Sequence, residues 1–322
     1  MAIQIQNIKR LLQNKTEINK PKQKADIDIL KEFEESNWTL LSDNKREQVV
    51  KELTEAVKNR LKLKLNVNVI FTSEIGNNTI GQYVTAKSKP KSHILLLNKR
   101  RIIEGKIYSP DNKIRINEPN SNINALETVI HELYHAKQNE EYLQLKKGEI
   151  FEDDEQLRIK TIRWNLKPEV TYNDGSKGRA YVSLDQNDPE YVNMYILQPA
   201  EIDAERKTLE LLKIFKGMVS DDIVFSSQIE SVIRKENIMI LNAEQYFMNK
   251  YNIRNPQEEI SKCIQKYAGK QQVIIDKNIE SSFIKISRDQ YCANKPETKT
   301  KKSETSHLEN INKSQKTGGL EI

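Results

Sequence analysis

The chain has 322 residues, 37% of them hydrophobic and 30% charged, with a formal net charge of +6. No window approaches the roughly 18 consecutive apolar residues of a membrane span. The opening MAIQIQNIKRLLQNK lacks the apolar core and small-residue cleavage site of a secretory signal, and two cysteines, Cys263 and Cys292, are too few for a disulfide framework or a thiolate zinc site.

The expected location is therefore the reducing cytoplasm, with non-classical export left open. Residues 1–24 hold six Lys/Arg and one acid, and residues 295–322 hold six Lys and four Glu. The positive excess sits in the ends, and a near-neutral body argues against a phosphate-binding surface. Residues 1–24 are expected to be a basic flexible arm. The tail 293–322 has almost no large apolar residues and is expected to be disordered.

From Ala25 to Leu65 apolar residues recur at helical spacing: Ile27, Ile29, Leu30 and Phe33, then Val49, Val50, Leu53, Val57 and Leu61. Ser42 and Asp43 stand before the second run as caps. The period then changes. VNVIFTSE, IGQYVTA and SHILLLN are strand candidates, the first two separated by a turn at Gly76-Asn77-Asn78, and KIRINEP is a weaker fourth. Helix returns at INALETVIHELYHAKQNEEYLQL.

Residues 141–190 form a polar insertion, too long for a structureless connection. Its Arg158, Lys160, Arg163, Trp164 and Lys167 suit either a substrate-facing cover or the charged face of a subdomain. Helices follow at PAEIDAERKTLELLKIF, across 221–249 and across 256–290. The order helix, strands, helix, insertion, helices is an α+β layout. It suggests a main domain over 25–215 and a C-terminal helical region over 216–292.

The informative segment is His131-Glu132-Leu133-Tyr134-His135, in a chain with four histidines. Leu126, Val129, Ile130 and Leu133 form an apolar stripe that makes the segment helical. Side chains four apart stand one above the other on a helix, so both imidazoles reach one metal. Glu132, about 100° round the helix, suits a water on that metal and is assigned as general base.

A catalytic zinc needs a third protein ligand. A third histidine six residues on is absent, since position 141 is Glu, and Gln138 stands where the metzincin pattern has Gly. His307 reads as a solvated tail residue and His93 as an ordinary strand residue. The better candidate is Glu201 in Gln198-Pro199-Ala200-Glu201-Ile202-Asp203-Ala204-Glu205, where Pro199 marks a helix start. Glu205, four residues on, can accept from an imidazole N–H and fix its tautomer. Asp203 is the rival ligand, on another face, and small Ala204 allows two helices to approach closely.

His131-Glu-Leu-Tyr-His135 followed by Glu201-Ile-Asp-Ala-Glu205 resembles the zincin metallopeptidases on the gluzincin side, whose third ligand is a Glu from a later helix. Gly81-Gln-Tyr83 and Ser92-His-Ile-Leu-Leu-Leu-Asn98 resemble the strand that precedes the active-site helix in small zincins. The likeness spans roughly residues 45–215, and Lys137 departs from its extended signature. It implies a small antiparallel or mixed sheet packed on the active-site helix, with appended helices. It also implies a Zn2+ cofactor, a protein or peptide substrate, and substrate pairing along an edge strand, for which Ser92–Asn98 is the candidate. Tyr191, Tyr195 and Tyr134 are candidates for the transition-state electrophile, with Tyr195 chosen. The alternative is a catalytically silent zincin-fold interaction or regulatory protein, or a nucleic-acid-associated factor of a mobile element.

Overall fold

The uninterrupted apolar run Ile94–Leu97 has no solvent face to offer, so its strand has to be covered on both sides. In the computed structural model it is. The structure describes residues 26–250 apart from 76–78, 86–91, 109–114, 167–169, 172–176, 179–180 and 182–187. The arm at 1–24, the turn at 76–78, Lys167, the 256–290 helix with Cys263, and the 293–322 tail with His307 lie outside those residues, as does Cys292.

Three helices come first: α1 (Asp26–Lys31), α2 (Glu35–Trp38) and α3 (Asp43–Arg60). Ser42 is the residue before α3, in extended conformation, though its side chain makes no capping hydrogen bond. A three-stranded sheet follows, β1 (Val67–Thr72), β2 (Gly81–Thr85) and β3 (His93–Asn98), in the order β1-β3-β2. β1 runs parallel to β3 and β2 antiparallel, with Tyr83 opposite Leu95. After the short α4 (Lys99–Ile102), β4 (Lys106–Tyr108) pairs with β5 (Arg115–Asn117), the weak fourth strand of the sequence pattern.

The expectation that Ser92–Asn98 is the substrate-binding edge is corrected here. β3 is the central strand and all six of its residues are buried. Leu95 and Leu97 enter the main core, while Ile94 and Leu96 close a second cluster with Ile70 and Ile75. Among the described residues, the sheet edge next to the long helix is β2.

That helix is α5 (Ser121–Lys146). Asn120 turns into it with a left-handed backbone (φ 55°), which asparagine tolerates better than most residues. Trp38 Nε1 donates to Ser121 Oγ, and Asn122 Nδ2 to Phe33 O, so the N-terminal helices anchor its first turn. β2 approaches α5 so closely at Gly81 that a Cβ there would lie 2.4 Å from Thr128 Cγ2 and 3.3 Å from Glu132 Cγ. Only glycine permits that approach.

The polar insertion contains α6 (Asp153–Asn165) and a minimal hairpin of β6 (Val170–Thr171) and β7 (Lys177–Gly178). The chain ends its described part with α7 (Pro189–Leu197), α8 (Pro199–Met218) and α9 (Ile223–Lys250). Val49, Val50, Leu53 and Val57 of α3, Leu126, Val129, Ile130 and Leu133 of α5, and Leu209, Leu212 and Phe215 of α8 share one core, and Phe225, Ile229 and Ile233 of α9 join it. The result is a mixed α+β fold, mostly helical around a small sheet. Among the described residues no helix is long and apolar enough to cross a membrane.

Candidate metal centre

His131 and His135 occupy successive turns of α5, and their Nε2 atoms are 3.2 Å apart. α8 crosses this part of α5 and begins at Pro199, which brings Glu201 into its first turn. Glu201 Oε2 is 3.4 Å from His131 Nε2 and Oε1 is 3.4 Å from His135 Nε2. Bonds of 2.0–2.1 Å in a tetrahedral arrangement set ligand atoms about 3.3 Å apart. His131, His135 and Glu201 thus form a group that could hold a metal ion.

The outer nitrogens of both imidazoles are occupied. His131 Nδ1 is 3.2 Å from Glu205 Oε2, and His135 Nδ1 is 3.0 Å from Gln138 Oε1. In the tautomer whose Nδ1–H donates to those oxygens, Nε2 is the nitrogen left for a ligand. Gln138 is itself oriented, since its Nε2 donates to Ala200 O and Asp203 Oδ2, each at 2.9 Å. Asp203, the rival ligand, is engaged there and by Arg158 Nη1 at 2.8 Å. It does not join the triad.

Electrostatics favour positive charge at the centre. Burial opposes ionisation of Glu201, but His135 and His131 outweigh it and hold the carboxyl well below its ordinary range. Burial also opposes charge on His131, yet Glu201 and Glu205 raise its pKa well above the usual imidazole value, and Glu201 raises that of His135. Glu132 is buried, and burial pushes its pKa up against the pull of the two histidines. The Tyr83 backbone N–H of β2 hydrogen-bonds Glu132, so the sheet edge touches the acid directly.

Tyr195, on α7, packs edge-on to Tyr181, with ring centroids 6.1 Å apart. The sequence pattern did not single out Tyr181, yet its hydroxyl donates to Glu201 Oε1 at 2.8 Å. Burial and the nearby Glu201 carboxylate push both phenol pKa values upward, so both hydroxyls keep their protons. Tyr134 packs against the main core instead. Of the candidates for a substrate-facing cover, Arg158 turns inward to Glu141, Glu155 and Asp203, and Arg163 lies over the Tyr142 ring at 4.5 Å.

A second acid group went unnoticed in the sequence: Glu127, one turn before His131, with Glu205 and Glu236. Burial first, then Glu205 and Glu236, pushes the Glu127 carboxyl up to about 8. His93 is fully buried in β3, between Tyr83 Oη (2.9 Å from Nδ1) and Glu140 (2.9 Å from Nε2), away from the triad.

Comparisons against protein-family models, curated proteins and solved structures returned nothing that matches this chain.

Proposed function

We propose that the chain is a zinc-dependent metallopeptidase with a zincin-like, gluzincin-type catalytic domain. The observation that carries this reading is the convergence of His131 Nε2, His135 Nε2 and the Glu201 carboxylate, 3.2–3.4 Å apart, from two helices. A Zn2+ ion held by those three side chains would supply Lewis acidity toward a peptide carbonyl and lower the pKa of a water.

The remaining work falls to the protein. Glu132 takes the proton from the attacking water and returns it to the departing amine. Its raised pKa brings its basicity closer to neutral pH. Tyr195, which retains its proton, donates a hydrogen bond to the carbonyl oxygen as negative charge grows on it. Glu205 and Gln138 fix the tautomers of His131 and His135. β2 supplies the strand edge beside Glu132, along which an extended protein or peptide substrate aligns by backbone hydrogen bonding.

The test is metal analysis together with cleavage of a peptide library by wild type and Glu132→Gln. The expected result is bound zinc in both and a fall in cleavage rate of about 10²–10⁴ in the variant. Cleavage that survives the substitution contradicts the mechanism. A wild type that holds zinc and cleaves nothing favours the alternative of a silent scaffold.

A further inference from the structure

The two oxygens of Glu201 are not equivalent. Each faces one histidine, Oε1 at 3.4 Å from His135 Nε2 and Oε2 at 3.4 Å from His131 Nε2, but Oε1 also accepts from Tyr181 Oη at 2.8 Å. Tyr181 comes from the polar insertion, 20 residues before Glu201, and the edge-on contact with Tyr195 holds its ring in place. A carboxylate in the first turn of a helix, without a second anchor, is free to rotate and to ligate through either oxygen or both. A phenol hydrogen bond removes that freedom and draws charge from the oxygen it engages.

We propose that Tyr181 is a positioning residue for the metal centre: its hydroxyl engages Oε1 of Glu201 and leaves Oε2 as the oxygen offered to a cation bound with His131 and His135. This rests on the metal-centre reading above and goes beyond it. Tyr181 acts on the ligand, not on the substrate, so its effect is on metal affinity and coordination even when no peptide is present.

Tyr181→Phe removes the hydroxyl alone. Competition against a chromophoric chelator is expected to show Zn2+ bound about 10–100-fold more weakly than in wild type. The visible ligand-field bands of the Co2+-substituted variant are expected to shift as the carboxylate becomes free to bind through both oxygens. A merely structural tyrosine would lower the unfolding temperature and leave that spectrum unchanged. Should the variant fail to fold, infrared difference spectra of zinc-loaded against zinc-free wild type read the same point. A wide carboxylate stretch splitting, the mark of one-oxygen ligation, supports the role, and the narrow splitting of two-oxygen ligation overturns it. Wild-type Zn2+ affinity together with a wild-type Co2+ spectrum in Tyr181→Phe removes the role of Tyr181 and leaves the metal centre standing. A wild type that takes up no Zn2+ removes both.

Discussion

Along α5, His131 and His135 meet Glu201, while little more than a turn further on Glu140 meets His93 from the centre of the sheet. Both groups pair imidazole with carboxylate, and both are largely withdrawn from water. They differ in what their polar atoms face. Glu140 accepts from the backbone N–H groups of Lys64 and Leu65 as well as from His93. His93 is engaged at both nitrogens, the second by Tyr83. Among the described residues, each nitrogen of His93 and each oxygen of Glu140 has a hydrogen-bond partner. At the other group the outer nitrogens are satisfied and the three inner atoms face one another, at the separation of ligands around one ion. A closed polar network ties elements together, whereas donor atoms that converge on one point could hold a metal ion.

The largest expected effect that sharpens this contrast is on stability. Glu140→Ala removes the acceptor of the buried His93 Nε2 and of the Lys64 and Leu65 backbone N–H groups, and should cost about 3–5 kcal/mol in urea unfolding. The three inner donors remain, so Zn2+ uptake by the folded fraction should not change. A cost below about 1 kcal/mol would break the contrast. The pH dependence has a definite sign. Burial opposes charge on Glu140, but His93 and the two N–H groups outweigh it and hold its pKa below the ordinary value. A depressed carboxylate contributes stability above the unfolded pKa, and that contribution disappears as pH falls through the folded pKa.

A smaller effect of opposite sign is expected at Glu244 on α9, which is 1% exposed with neither carboxylate oxygen hydrogen-bonded among the described residues. Burial pushes its pKa up to about 7, only partly offset by Arg206. The folded state then keeps a proton that the unfolded chain releases near pH 4.5, and stability falls between pH 4.5 and about 7. Glu244→Gln should add about 1–3 kcal/mol at pH 8 and almost nothing at pH 4. Equal unfolding midpoints for variant and wild type at pH 8 would show that this carboxylate has a partner after all.

The parts of the site legible in the sequence were those set by helical period. Two histidines four apart inside an apolar stripe had to share a face of α5, and Pro199 two residues before Glu201 put that acid in a helix's first turn. The parts that depend on contacts between distant elements were hidden. Tyr181 lies in a polar stretch with no period, and its tie to Glu201 is tertiary. Glu140 reads as a solvated helix acid until β3 brings His93, 47 residues earlier in the chain, against it. Gln138 registered only as the residue that breaks another family's pattern, not as the partner of His135. The position of β3 was legible in principle. Four consecutive buried apolar residues do not suit an edge, and the polar Gln82 and Thr85 of β2 do.

The central claim is that side chains from two helices make one metal site, and zinc stoichiometry by equilibrium dialysis and elemental analysis tests it most directly. Wild type should retain about one zinc per chain, and Glu201→Ala should lose it while keeping its helical circular dichroism. Zinc retained undiminished by folded Glu201→Ala, or none retained by wild type, would contradict the account.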